Sequence, residues 1–264
     1  MRNAFLLFTI GLSSLTLRAQ TAPKTLRYQQ QTWLMYQLQL RFSPHWGGIL
    51  ESHLRRSGHF VDFAGTQINR VGLSYFPNAA ARLSANYAYV VNRNAFNVGP
   101  ARPEHRTWAE IGFSQPFPRL VLNQRFRAEQ RFVHRSDGNK LTEGYRFNHR
   151  LRYQLGIQWP MRQPAPGRLT PNLVVQNEIL VNAGKEIVYN YFDQNQFFIG
   201  ISCPVGRGFT LQTGYLNLFQ QQSAGNAFVD FHILRFTVFQ TLDLQRRLPK
   251  TNKVAMATLS DLTE

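Results

Sequence analysis

Residues 145–159 read YRFNHRLRYQLGIQW, and their side chains alternate in character from each position to the next. Apart from His149, the odd-numbered positions from Tyr145 to Trp159 are apolar or aromatic, while the even-numbered ones include Arg146, Arg150 and Arg152. Because successive side chains of a strand point to opposite faces, the pattern indicates a strand with one apolar and one charged face. Soluble strands average only ~5–6 residues. The two faces of so long a strand are therefore predicted to meet two different solvents.

The same alternation recurs along most of the chain. Its clear segments are residues 32–42, 46–56, 67–76, 82–92, 104–114, 121–134, 145–159, 172–181, 191–203, 209–219 and 228–243. A membrane-spanning strand needs ~9–11 residues, and backbone groups in lipid must all be paired, which forces the sheet to close. The sequence predicts an all-β fold, a transmembrane antiparallel up-and-down β-barrel of about 12 strands, with 10 as the alternative count.

The connections between these segments fall into two classes. Proline-containing turns at 43–46, 77–80, 115–120, 160–169 and 203–208 alternate with more polar links around 57–66, 93–104, 135–144, 183–190 and 220–227. Short periplasmic turns and longer extracellular loops are typical of outer-membrane barrels. A periplasmic sandwich or lipocalin-like barrel is the alternative, since alternation alone does not tell inside from outside. The density of charge on the polar faces and the strand lengths favour the membrane barrel.

The amino terminus resembles an export signal. Arg2 precedes an apolar stretch that ends at small Ala19, which predicts a signal peptide at 1–19, with a short membrane anchor as the alternative. Residues 20–31 form an N-terminal segment or weak first strand, 32–244 the barrel, and 245–264 a polar C-terminal tail. Export together with amphipathic strands predicts the outer membrane of a Gram-negative bacterium.

The formal net charge is +16, but the positions of the basic residues along the chain say more about function than the size of the charge. Nucleic-acid binders cluster their basic residues, whereas here arginines recur at alternate positions of many segments, so no nucleic-acid partner is expected. A single cysteine, Cys203, rules out an internal disulfide. Glycine-rich phosphate loops and metal-ligand spacings are absent from the sequence, so neither a cofactor nor a metal is expected.

Several short motifs carry a family resemblance. They are Trp33, ESHLRR with Glu51 and Arg55, Arg70, HRTWAEI at 105–111, RFRAEQR at 125–131, RFNHRLRY at 146–153, Asn177 with Glu178, FDQNQFFIG at 192–200, and GYLN at 214–217. In this order they make the chain similar to the bacterial outer-membrane family known as the domain of unknown function 2490 family, over roughly residues 33–243. The resemblance implies an outer-membrane barrel and no established activity.

If the polar faces point inward, the lumen contains many arginines and fewer glutamates. The predicted lumen charge network consists of Arg106, Glu110, Arg125, Arg127, Glu129, Arg131, Arg146, Arg150, Arg152 and Glu178. One interpretation is a ladder of paired charges that fills a narrow, mostly closed barrel with a structural or ligand-binding role. The other is an anion-favouring channel or a site for an acidic ligand. Outer-membrane lipid and lipopolysaccharide are the expected partners, with small anionic solutes as further candidates.

An embedded lipid hydrolase is a third hypothesis. His134 and Ser136 are two residues apart, a spacing that can place a base and a nucleophile on one face of a strand. They fall where a strand gives way to a predicted turn at Asp137 and Gly138, and the sequence places no second carboxylate beside them. His149 is interpreted as an interfacial residue. No catalytic residues are therefore assigned, and we expect the protein not to be an enzyme.

Overall fold

The computed structural model describes residues 23–96, 98–162, 169–206 and 208–247. Within these ranges the chain forms eleven β-strands and one short 3-10 turn, Leu244–Arg247. The strands are β1 (Thr25–Arg41), β2 (Trp46–Ser57), β3 (Phe63–Asn78), β4 (Ala81–Asn92), β5 (Arg102–Phe117), β6 (Leu120–Asp137), β7 (Lys140–Pro160), β8 (Asn172–Ala183), β9 (Phe192–Gly206), β10 (Phe209–Gln221) and β11 (Ala227–Asp243). No helix in these ranges is long and apolar enough to cross a membrane.

The strands make one closed barrel. Each strand pairs antiparallel with the next along the chain, and β1 pairs with β11 to close the ring. That closing pair is parallel and runs from Thr25 opposite Ala227 to Arg41 opposite Asp243. The sheet of described strands therefore has no free edge, so the backbone groups of each strand have neighbours on both sides.

The closed, all-β architecture with about twelve strands is confirmed, and the structure supplies the details of its closure. Residues from Thr25 to Gln31, which alternate weakly, are the first part of β1 and do not form a separate ascending strand. The described strands therefore number eleven. Because an odd number of alternating strands brings the first and last into the same direction, the closing pair has to be parallel. The predicted signal peptide at 1–19 and most of the tail at 245–264 lie outside the described residues.

The two ends of the barrel differ in their connections. We call the end that carries connections 42–45, 79–80 and 118–119 the turn end, and the end that carries 58–62, 93–101, 184–191 and 222–226 the loop end. One connection departs from the expected length. The predicted loop at 135–144 is mostly strand, with a tight turn at 138–139, because β6 and β7 extend into it. The connection at 161–171 is long, in agreement with the turn predicted at 160–169, and belongs to the turn end.

The distribution of side chains is the inverse of that in a soluble protein. Leu151 on the outer face is 57% exposed, while Glu129 on the inner face is 2% exposed. Leucine, isoleucine, phenylalanine and tyrosine side chains cover the outside of most strands, and many glutamines, glutamates and arginines are buried in the lumen. A soluble protein seldom exposes so continuous an apolar surface. The barrel is of the outer-membrane type, with an apolar exterior and a largely polar interior.

The lumen is divided into two halves. A charged half follows the inner faces of β5 to β8, and an apolar half is formed by a cluster that includes Trp33, Phe198, Phe231 and Ile233. Two residues of the β4–β5 loop, Ala95 and Phe96, pack against the apolar half from the loop end. The Gln29 side-chain amide donates a hydrogen bond to the Ala95 carbonyl, which holds this loop over the opening. The loop therefore covers part of one end of the barrel.

The parallel closure can be tested by cross-linking. Leu34 and Phe236 are Cα partners across the β1–β11 seam, and both face outward. In a Cys203→Ser background, Leu34→Cys with Phe236→Cys should form a disulfide under oxidation, because neighbouring strands lie ~4.8 Å apart, within disulfide reach. The control pair, Leu34→Cys with Leu242→Cys, lies on the same face but six positions out of register. Equal cross-linking of the two pairs on non-reducing gels would contradict the register.

Candidate functional site

The charge network arises directly from strand alternation. Its members occupy inward positions on neighbouring strands, so that Glu110 is opposite Arg127, and Glu129 is opposite Arg150. Side chains directly across an antiparallel pair lie ~4.5–5.5 Å apart at Cβ. The register therefore determines which arginine meets which carboxylate.

Glu110 and Glu178 anchor one part of the network. Glu110 accepts hydrogen bonds from Arg82 Nη2 at 2.5 Å and from Arg127 Nε at 2.7 Å. Glu178 accepts from Arg125 Nη2 at 2.8 Å and from Arg152 Nη2 at 2.7 Å. Each carboxylate thus bridges arginines that belong to different strands.

Glu129 lies at the centre of the network and contacts three arginines. Its oxygens lie 3.4 Å from Arg127 Nη1, 2.5 Å from Arg150 Nη2 and 2.9 Å from Arg152 Nη1. It is 2% exposed, so its charge is stabilised by these three guanidinium groups with little help from solvent. Glu129 joins the Glu110 part of the network to the Glu178 part, because Arg127 and Arg152 each contact two carboxylates.

Two carboxylates of the network were not among the predicted residues. Glu104 is fully buried and lies 2.5 Å from Arg106 Nε and 2.6 Å from Arg131 Nε. Like Arg106 and Glu110, it occupies an even-numbered position of β5. The alternation of residues 104–114 was therefore enough to predict that Glu104 faces the lumen. Asp193 pairs with Arg150 at 2.9 Å. Its inward orientation depends on a register shift between β8 and β9, which no alternation rule predicts.

One predicted member of the network is separate from it. Arg146 borders the interior cavity but is exposed, and it makes no ion pair with the described residues. The other nine predicted residues take part in the ion pairs given above.

A second group of charges lies on β2 and β3. Glu51 accepts from Arg70 Nη1 at 2.6 Å and also contacts His53 Nε2. The indole of Trp108 lies under both Arg70 and Arg127, whose guanidinium carbons are 5.6 and 4.9 Å from its ring centroid. Trp108 thereby connects this group to the main network.

The network is suited to holding the barrel wall together. Each buried glutamate of the charged half meets at least two guanidinium groups, and the arginines there outnumber the carboxylates. Burial of a charge is costly unless the charge is paired and hydrogen-bonded. The removal of one partner should therefore destabilise the whole cluster, because its charges share partners. The described residues contain no cluster of histidine, cysteine, aspartate or glutamate that could hold a metal ion.

The structure does not bring His134 and Ser136 together on one face. His134 stacks edge-on with Tyr145 on the outside and contacts the carbonyl of Arg135, while Ser136 borders the interior cavity. A register shift between these two residues separates their orientations. His149, also on the outer face, packs edge-on against Phe147.

A family model described as a protein of unknown function (DUF2490) matches residues 30–229, which is most of the chain. The chain belongs to this family. The carboxylates of the network, from Glu51 to Asp193, lie within the range shared with DUF2490, whereas Arg235 lies beyond it.

A comparison with solved structures relates this DUF2490 chain to the beta domain of the Bordetella autotransporter Brka. The alignment covers 67% of this chain and 77% of that one, at 11% sequence identity and a TM-score of 0.40. No curated protein matches the chain.

The network can be tested by neutralising its central carboxylate. Glu129→Gln keeps the size of the side chain but leaves three arginines without their shared charge, so we expect a loss on the order of 3–5 kcal/mol in the free energy of unfolding. The control is Glu186→Gln, whose partner Arg135 is half exposed, and it should cost at most ~1 kcal/mol. Urea unfolding in detergent measures both. Equal, small losses would mean that the lumen is wet and the charges are screened.

Proposed function

We propose that this DUF2490 chain is an outer-membrane β-barrel whose lumen is mostly closed by its own side chains and which has a structural or ligand-binding role. The observation that carries the proposal is the inverse distribution of side chains, with apolar residues outside and an ionic network inside. Only a surrounding hydrocarbon solvent makes such an exterior favourable.

Aromatic residues at the two ends of the barrel support the membrane location. Trp46, Trp159 and Phe209 lie at strand ends on the turn side and are exposed. Tyr28 and Tyr145 are exposed on the loop side. Outer-membrane barrels carry such aromatic girdles at both water interfaces. Lipid and lipopolysaccharide would then be the partners of the outer surface.

The closed lumen is supported by what occupies it. Arginine and glutamate side chains cross the charged half, and Phe96 with its loop covers part of the loop end. A cavity of about 690 Å³ remains in the lumen, and its lining extends from Ala80 at the turn end to Ser223 at the loop end. This volume suits a small ligand.

A catalytic role is not part of the proposal. His134 has no carboxylate partner among the described residues, and Ser136 is not hydrogen-bonded to it. Nucleophilic catalysis needs a base that is within hydrogen-bond reach of the nucleophile and is itself oriented by a third group. Nor do we propose a nucleic-acid partner, since the lumen arginines are largely engaged with glutamates.

The location is tested by fractionating the bacterial envelope. We expect the protein in the outer-membrane fraction, and its unboiled form should migrate differently on a gel from the boiled form, because a closed barrel resists detergent unfolding. A known periplasmic protein serves as the control for separation. Recovery of the chain with that control would contradict the membrane location.

Closure of the lumen is tested by conductance in planar bilayers. The mostly closed barrel should give no large steady openings, because arginine and glutamate side chains block the path. A porin reconstituted in the same way is the positive control. Stable, anion-selective conductance would instead favour the second candidate function, an anion channel, for which the excess of lumen arginines is the supporting observation.

A further inference from the structure

Three inward-facing residues form a row on the neighbouring strands β2, β1 and β11, on the side of the barrel opposite the charged half. Arg55 on β2 is the Cα partner of Trp33 on β1, and Trp33 is in turn the partner of Arg235 on β11. Because adjacent strands are ~4.8 Å apart, the Cα atoms of the two arginines are about 10 Å apart. Arg55 leans over Trp33, whereas Arg235 reaches towards Phe198, and these two rings belong to one apolar cluster. Trp33, Arg55 and Arg235 all border the interior cavity.

Both arginines are held against aromatic rings. The guanidinium carbon of Arg55 lies 3.5 Å from the centroid of the Trp33 ring, and that of Arg235 lies 3.4 Å from the centroid of Phe198. The Phe198 ring packs closely against Gly214, where an added Cβ would come within 2.8 Å of it. Stacking fixes the plane of each guanidinium and leaves its N–H groups free to point sideways.

Neither arginine has a carboxylate partner among the described residues. Arg55 makes no ion pair there, and its Nε is buried without a hydrogen-bond partner. Arg235 donates to the neutral Gln212 at 2.6 Å and to Gln176 at 3.4 Å, while its Nε is also unpartnered.

The carboxylates that could pair with these arginines are already engaged. Glu51, the inward acid of β2, accepts from Arg70 and contacts His53. Glu178 is bridged by Arg125 and Arg152. The His53 ring is 3% exposed, and its Nδ1 has no partner, which adds a further unsatisfied polar atom near Arg55. The wall thus holds cationic groups that need an anion in a largely apolar setting.

We propose that Arg55 and Arg235 form a binding site for a small solute with phosphate or carboxylate groups, with the apolar cluster that contains Trp33 and Phe198 as its floor. The proposal rests on the proposed closed, ligand-binding barrel and names the ligand chemistry of its lumen. Guanidinium groups bind such oxyanions through pairs of parallel hydrogen bonds. The cavity of about 690 Å³ admits a molecule of that class.

Pyrophosphate is a suitable probe because it is small enough for the cavity and carries two phosphates, the groups that guanidinium donors bind in pairs of hydrogen bonds. Isothermal titration calorimetry of the purified full chain in a neutral, lipid-free detergent should show saturable binding at one site. Arg55→Met and Arg235→Met should each weaken it by about 10-fold or more, since each removes one set of charge-assisted hydrogen bonds. Phe198→Leu leaves every charge in place and should also weaken binding, because it removes the ring that orients Arg235.

Arg131→Met is the matched control. It removes the same charge from the lumen but from the Glu104 pair of the charged half, so pyrophosphate affinity should change by less than about threefold. Boiled and unboiled samples on a gel verify that each variant is folded. Equal weakening by all three arginine variants would assign binding to the general positive field of the lumen and overturn the site, and so would absence of binding to the folded parent.

Two further results keep this inference separate from the proposed function. Competition by lipopolysaccharide for the pyrophosphate site would assign it to a lipid headgroup and contradict a soluble ligand. The titration does not depend on where the barrel resides in the cell, so its failure would leave the membrane location and the closed lumen unaffected.

Discussion

Closure of the sheet by the parallel pairing of β1 with β11 is the constraint on which the rest of the structure depends. A strand in hydrocarbon cannot leave its N–H and C=O groups unpaired, and the ring gives every described strand two neighbours. Closure also separates two environments. Apolar side chains cover the outer face, whereas the polar side chains on the inner face must pair with one another.

The inner residues meet this requirement in two different ways. In the charged half, Glu110, Glu129 and Glu178 each bridge arginines from different strands. In the apolar half, Arg55 and Arg235 stack on aromatic rings and make no ion pair with an acidic side chain in the described part of the chain. In the first arrangement the charges compensate one another. Pairing and hydrogen bonding offset part of the free-energy cost of removing the ions from water, which stabilises the wall. The second leaves cationic charge that no carboxylate among the described residues compensates, and this half is therefore the more informative one for function.

Sequence and structure agree best where alternation is unbroken. The strand at 145–159 lies within β7, with Arg150 and Arg152 facing the lumen as its pattern predicts. Agreement ends where the register shifts or the chain turns back on itself. Residues 135–144 look like a loop because they are polar, yet they extend β6 and β7 beyond the barrel rim. Asp193 faces the lumen because the pairing register shifts between β8 and β9. The alternation of residues along β9 therefore could not predict its ion pair with Arg150.

The sequence by itself determined that the chain is a β-barrel, which face of most strands is polar, and that the polar face carries arginine and glutamate. Side chains of a strand alternate between its two faces with a period of two residues. These properties can therefore be predicted from the sequence of each strand alone, without knowing which strands lie beside it. The tertiary structure decided the number of described strands, the parallel closure and which charges meet. These depend on register between strands far apart in sequence. Trp33, Arg55 and Arg235 form one row because β1 lies between β2 and β11, and no local pattern connects residues so distant along the chain.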